Sequence, residues 1–509
     1  MAHQPREQWG TRAGFLLAAI GSAVGLGNIW RFPAEAYNNG GGAFLLPYLV
    51  ALLTAGLPLL ILEYTIGRKY RRSPPSAFRR LAKPAQFIGW WQVVICFVIA
   101  SYYAVIIAWS VRYVGFSADQ SWGDEPDAFL TGDFLQTADA PGGISHYVAG
   151  VFWPLLAVWV VVLLVLAMGV RRGIEKANKV FIPLLVAFFL VLVVRALTLE
   201  GAAEGLDAFF APDWGALTDG SVWVAAYGQI FFSLSIGFGI MITYASYLRR
   251  RSDLSGSALV AGFANSSFEI LAGIGVFATL GFLAAQSGVE VGEVVESGVG
   301  LAFIAFPAII SNMPLGWLFG ILFFGSLVIA GLTSLISIVQ VIVSAVQDRT
   351  GLGRVPAVLG VGGAVAAVSL LLFPTDDGLY LLDASDHFIN QYGIVLAALV
   401  AVIVVAWVLR ALPFLQQDAD ATSAVQLGRW WRFCLGVITP IMLSWMLVDA
   451  LRQELSENYG GMSTSFLLWS GWGVAAGAVV IAGVISLFRW PDDTGSGTLD
   501  SDPLDGRKH

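Results

Sequence analysis

Charge is scarce in this chain. Only 12% of its 509 residues are charged, 28 basic against 35 acidic, for a net charge of −7. The balance is acidic overall, and no nucleic-acid partner is expected. Cysteine is scarcer still. Cys96 and Cys434 are the two, and both fall inside apolar runs, which excludes a disulfide framework. The four histidines are scattered without metal-ligand spacing. Paired catalytic carboxylates and a nucleophile beside a histidine are also missing, so the chain is not read as an enzyme. What fills the sequence is apolar: 57% of residues, with a mean hydropathy of +0.75. A water-soluble chain of this length does not have that composition.

About 20 consecutive apolar residues cross the hydrocarbon core of a bilayer as a helix. Twelve such spans are predicted, near 11–38, 42–67, 86–114, 151–170, 178–198, 222–248, 256–284, 314–347, 355–373, 385–410, 430–452 and 466–489. The stretch 301–310 is too short and reads as a helical piece of an outer loop, punctuated by Pro307 and Pro314. Lysine and arginine mark the cytoplasmic side. They crowd 68–83 and 171–179, return at Arg249, Arg250 and Arg251, and are missing from 116–150, 199–221 and 285–313. That alternation puts the N-terminus in the cytoplasm, and an even number of spans returns the C-terminus there. The expected location is the plasma membrane, with the bilayer as a partner. No cleavable signal precedes Trp9-Gly10-Thr11-Arg12, which leads straight into the first span. Residues 491–509 read as an acidic, solvated cytoplasmic tail.

Two spans are interrupted by glycine. The first carries Gly21, Gly25, Gly27 and Asn28, followed by Arg31; the sixth carries Ser233, Ser235, Gly237 and Gly239. A break at membrane depth leaves amides and carbonyls that hydrocarbon cannot satisfy, so it must line a cavity or bind something. Breaks in matching places of two halves point to the midplane site of a secondary transporter. Spans 1–5 (11–198) and 6–10 (222–410) then form two five-helix halves, inverted because the count is odd. Spans 11 and 12 (430–489) are peripheral. The whole of 1–509 reads as a single all-α, polytopic transport domain.

The strings Arg6-Glu7-Gln8-Trp9, Ala23-Val24-Gly25-Leu26-Gly27-Asn28-Ile29-Trp30-Arg31-Phe32-Pro33, Gly40-Gly41-Gly42-Ala43-Phe44, Ser101-Tyr102-Tyr103, Gly173-Ile174-Glu175, Gln229-Ile230-Phe231-Phe232-Ser233 and Ala330-Gly331-Leu332-Thr333-Ser334 occur in that order. With them the chain resembles the neurotransmitter:sodium symporter family, whose prokaryotic members include hydrophobic amino-acid transporters with the leucine-transporter fold. The resemblance covers about residues 6–395. It implies twelve helices in a 5+5 inverted repeat with helices 1 and 6 broken. The implied function is sodium-coupled symport of an amino acid by alternating access. A carrier of another zwitterion (GABA- or betaine-like) and a non-transporting sensor on the same fold are the alternatives.

The resemblance also implies residue roles. Sodium is a hard cation that takes oxygen ligands. One sodium site would use Ala23, Asn28, Ser233 and Asn265 together with the substrate carboxylate; a second would use Gly21, Val24, Ala330, Thr333 and Ser334. The substrate carboxylate would meet Leu26, Gly27 and Tyr103, and its ammonium the carbonyls of Ala23, Phe232 and Ser235. Ile99, Tyr103, Phe238, Ser334 and Ile338 would line the side-chain pocket. Monoamine carriers of the family hold an aspartate where this chain has Gly25, so the substrate must bring its own carboxylate. The uncharged pocket suits a neutral, apolar or aromatic side chain. Arg31 and Asp386 resemble an outer gate, with Asp383 one turn away, and Arg6 and Asp348 an inner gate beside Trp9. Glu63 resembles the carboxylate that supports the broken helices. Gly173 and Pro183 bracket a stretch where span 5 can unwind. Glu269 stands where chloride-dependent relatives have a small hydroxyl residue, and would replace chloride. Homodimerisation is a further possibility of the family.

Overall fold

A computed structural model describes residues 6–488 and 490. The acidic tail at 491–509 lies outside the described residues. Among the described residues ten continuous helices are long and apolar enough to cross a membrane: Gly42–Tyr70, Lys83–Phe116, Ala149–Ala167, Val170–Ala196, Ser255–Ser287, Gly316–Thr350, Arg354–Leu372, Gly378–Val408, Gly428–Gly461 and Thr464–Leu487. They are spans 2–5 and 7–12. Span 1 is the pair Arg12–Ala23 and Leu26–Asn38, bent by 55° at the break. Span 6 is two shorter helices, Gly220–Ser233 and Ile240–Ala245. Among the described residues β pairing amounts to two isolated bridges, Gly41 with Pro212 and Tyr147 with Thr375. The loop piece at 301–310 is helical, within Gly298–Ser311.

Spans 3 and 8 form the centre. They are 83% and 94% buried over their most apolar windows, against 28% to 33% for spans 4, 5, 9, 11 and 12. The outer spans face lipid, where burying apolar area gains little, so close packing holds the helices together. Gly67 of span 2 shows it: a β-carbon there would run into the Ile242 carbonyl of span 6.

Span 5 begins earlier than its apolar run suggests. A wide, π-type turn over Val170–Ile174 precedes the continuous helix Glu175–Ala196, and Pro183 sits inside that helix. The interval between Gly173 and Pro183 is therefore wound here. Gly173 lacks room for a β-carbon because the Val165 carbonyl of span 4 occupies the place.

Candidate functional site

The two breaks differ in their backbone. In span 1, Val24 has φ −72° and ψ 92°, and Gly25 is extended at φ −119°. Neither conformation requires glycine. Span 6 turns through the left-handed region three times, at Ser235 (φ 52°), Gly237 (φ 95°) and Gly239 (φ 85°). Glycine accepts that region without cost, while a serine is strained by roughly 1–3 kcal/mol. Ser235 is held there by its hydroxyl, which donates to the Ser22 carbonyl at 2.8 Å. The breaks thus grip each other, and Ser334 of span 8 reaches the same carbonyl at 3.4 Å.

Three neighbours satisfy the freed backbone of span 6. The Gly237 amide donates to Glu63 Oε1 at 2.9 Å, Gln92 Nε2 donates to the Gly237 carbonyl at 3.1 Å, and Cys96 Sγ donates to the Phe238 carbonyl at 3.2 Å. The support expected of Glu63 is present. Gln92 and Cys96 were not foreseen as supports, since a polar atom in an apolar span carries no sign of its distant target.

Around span 1, the Gly25 amide donates to Asn28 Oδ1 at 2.9 Å. Asn28 Nδ2 donates to Asn265 Oδ1 at 2.9 Å, and Asn265 Nδ2 donates to Ser233 Oγ at 3.1 Å. Asn28, Asn265 and Ser233 thus lie in one buried chain of neutral groups. A carboxamide oxygen has two lone pairs, so the Asn28 oxygen can keep its amide bond and still face a cation. Ala23 is adjacent, its carbonyl 4.0 Å from where a Gly25 β-carbon would stand. The same point is 3.2 Å from Ser334 Oγ and 3.4 Å from Tyr103 Oη. Space, not backbone angle, is what makes glycine matter here. Gly27 likewise has no room for a β-carbon because the Phe232 ring fills it. Leu26, Ile99, Phe238 and Ile338 are all buried. Ile99 stands one turn from Tyr103, and Ile338 one turn from Ser334, on the two central helices.

The residues of the second expected cation site have these contacts. The Thr333 hydroxyl donates to its own helix, at Ala330 (2.9 Å) and Ile329 (3.2 Å). Gly21 packs on Asn178 and Ile182 of span 5. Val24 donates its amide to the Ile20 carbonyl, at 2.6 Å. Ser22, absent from the expected set, is the span-1 carbonyl that spans 6 and 8 both reach.

Glu269 is fully buried. Gln229 Nε2 donates to it at 2.6 Å and the Tyr48 hydroxyl bonds its other oxygen. The Tyr48 and Ser266 hydroxyls are hydrogen-bonded to each other at 2.8 Å. Glu269 has no ion-pair partner among the described residues, and it lies one helical turn from Asn265. A buried carboxylate supported by neutral donors alone is costly unless a cation comes to it.

The two residue pairs expected to act as gates stand differently. At the basic-loop end Arg6 pairs with Asp348 at 2.6 Å and donates to Ser246 (2.7 Å) and Ser344 (2.9 Å). Asp348 also accepts from the Ser73 amide (2.6 Å), and Arg72 lies at 3.5 Å. Trp9 seals this end, its indole nitrogen donating to the Tyr244 carbonyl at 2.8 Å. At the other end Arg31 pairs with Glu35 at 3.3 Å and lies over the Phe232 ring, 5.0 Å from its centroid. Asp386 accepts from Asn390 at 2.8 Å, and Asp383 from the Tyr459 hydroxyl at 2.9 Å. Arg31 and Asp386 form no ion pair with each other.

The model of the sodium:neurotransmitter symporter family matches residues 6–143 and 124–492. The chain belongs to that family. It is 41% identical over 473 residues to an uncharacterized sodium-dependent transporter of Methanocaldococcus jannaschii, covering 92% of this chain and 95% of the relative. It is 31% identical over 542 residues to the sodium- and chloride-dependent neutral and basic amino acid transporter B(0+) of Mus musculus, covering 94% and 84%. Its fold matches the crystal structure of MhsT in complex with L-phenylalanine with a TM-score of 0.73 and 32% identity, over 88% of this chain and 100% of that one. The chain is therefore an all-α, polytopic membrane protein of the leucine-transporter fold, a sodium-dependent symporter and not an enzyme.

Proposed function

We propose that this symporter carries neutral L-amino acids with apolar or aromatic side chains, coupled to two sodium ions and without chloride. The observation that carries the substrate class is the space at Gly25. Tyr103, Ser334 and the Ala23 carbonyl surround a position with no side chain of its own, beside the Asn28–Asn265–Ser233 chain. A substrate carboxylate placed there completes the first sodium shell. The pocket walls from Ile99, Phe238 and Ile338 bring no charge for a charged side chain to meet. The likeness to MhsT, solved with L-phenylalanine, agrees with this choice.

The second sodium takes Gly21, Val24, Ala330, Thr333 and Ser334, after the Thr333 hydroxyl turns from its own helix. Glu269 supplies the anion that chloride supplies elsewhere. The basic-loop end faces the cytoplasm across the plasma membrane, with spans 1–5 and 6–10 as the inverted halves and spans 11–12 outside them. Arg31 and Asp386 close over the loaded site from outside, and homodimerisation leaves this site within one subunit.

The test is a binding panel on purified protein, by thermal shift with and without sodium, followed by uptake into proteoliposomes. Sodium-dependent stabilisation by Leu, Met, Phe or Trp is expected. Equal stabilisation by amines lacking a carboxylate refutes the proposal. GABA or betaine as sole ligands, or binding without accumulation, identifies the other zwitterion carrier or a sensor respectively.

A further inference from the structure

The end of the described chain is fastened to the basic-loop end of the bundle. Gln86, at the start of span 3, donates to the Ser486 carbonyl at 3.1 Å and accepts from the Trp490 indole nitrogen at 2.5 Å. Arg349 donates to the Phe488 carbonyl at 2.9 Å. Its guanidinium stands 5.6 Å from the Trp90 ring and 5.1 Å from the Trp490 ring, and Arg79 lies 5.5 Å from Trp490. Cation–π contacts of this kind favour a fixed ring between cations. The chain beyond Trp490 therefore starts from a fixed point beside Arg79 and Arg349, and Arg349 directly follows the gate residue Asp348.

Two properties of the remaining chain fit that starting point. Residues 491–509 carry Asp492, Asp493, Asp500, Asp502 and Asp505, with Arg507 and Lys508 only at the far end. Nineteen residues reach roughly 60 Å when extended, enough to cross the whole face. Cations outnumber the carboxylates they pair with on this face: Arg6 and Arg72 share Asp348, and Arg68 and Lys69 share Asp418. Arg71, just past span 2, has its pKa held below the ordinary value by burial and by the neighbouring Arg250 and Arg6. Tethering makes docking intramolecular, so modest attraction suffices.

We propose that the acidic C-terminal tail, residues 491–509, docks on the basic face around the loop between spans 2 and 3, with Trp490 as its anchor. Its attraction is between charges near water, and so weakens with salt.

The experiment is hydrogen–deuterium exchange of residues 68–83 in nanodiscs of phosphatidylcholine, which offers no net anionic headgroup as a competing occupant. Three proteins are compared at low salt: the full chain, the chain ending at Trp490, and the full chain with Asp492, Asp493, Asp500, Asp502 and Asp505 each changed to Asn. Sodium-driven uptake by all three shows that they are folded. Exchange about tenfold faster in both altered proteins is expected, with the full chain joining them at about 1 M salt. Equal exchange in the full and shortened chains overturns the proposal. So does protection that survives the five Asp→Asn changes.

Discussion

Replacing Gly25 with aspartate tests the substrate assignment directly. The new β-carbon would stand 3.2 Å from Ser334 Oγ and 3.4 Å from Tyr103 Oη, so its carboxylate extends into the gap between them. The substrate carboxylate is proposed to occupy that gap. Two like charges about 4 Å apart, at an effective dielectric constant near 20, repel by about 4 kcal/mol. That corresponds to roughly a thousandfold loss of affinity for an amino acid. The size of the side chain acts separately. Contacts of 3.2–3.4 Å are tight, and Gly25→Ala carries that crowding without the charge, at about 1–2 kcal/mol, or roughly tenfold. The assay is sodium-dependent binding of phenylalanine and of phenylethylamine, its analogue without the carboxylate, to the unmodified protein and both variants. Gly25→Asp should lose the amino acid about a thousandfold more than Gly25→Ala does, and should move the preference toward the amine. Equal losses in the two variants would mean that volume alone excludes ligands at residue 25, and the direct carboxylate–sodium contact would be wrong.

The other predictions concern charge, cation and gate. Glu269→Ser removes the one carboxylate beside the first sodium site, so uptake should come to need an added anion; uptake in chloride against gluconate reads this, and chloride-independent uptake by the variant refutes the role. Asn28→Ala should weaken substrate binding itself by about 1–3 kcal/mol, as loss of a buried partner does. Thr333→Ala should instead shift the sodium dependence and leave saturating substrate binding nearly intact. Sodium titrations at fixed and at saturating substrate separate the two, and identical behaviour counts against distinct sites. Arg31→Ala should lower uptake more than equilibrium binding, because its side chain lies over Phe232 and pairs with Glu35 without taking part in the hydrogen-bonded chain below. Equal losses in both assays would place Arg31 in the binding site proper.

The breaks in spans 1 and 6 were legible in the sequence because glycines cluster with polar residues at matching places of the two halves. Gly237 and Gly239 proved to need their positive φ, whereas Gly25 needs only the space its missing side chain leaves. The Arg6–Asp348 pair was expected from the family resemblance alone, and the two side chains meet at 2.6 Å. What composition could not show was the far partner of each neutral polar group. Gln92 and Cys96 lie more than 140 positions before the carbonyls they bond, so local patterns give no hint of the pairing. Gly173 admits the Val165 carbonyl, and a glycine that does so looks the same in a sequence as one where a helix can unwind.

The supports of span 6 have a mechanical consequence. Glu63 belongs to span 2, while Gln92 and Cys96 belong to span 3, and all three bond the backbone at Gly237 and Phe238. Ser235, two residues before, bonds span 1 instead. The turn in span 6 is thus shared between a broken partner and a nearly straight, buried helix. Moving spans 1 and 6 together against span 3 preserves the Ser235–Ser22 bond and strains those to Gln92 and Cys96. Cys96→Ala removes one donor without adding bulk, so it should ease that motion and leave the hydrogen bonds from Asn28 to Ser233 in place. The side chains that hold the turn in span 6 are therefore distinct from those proposed to hold sodium.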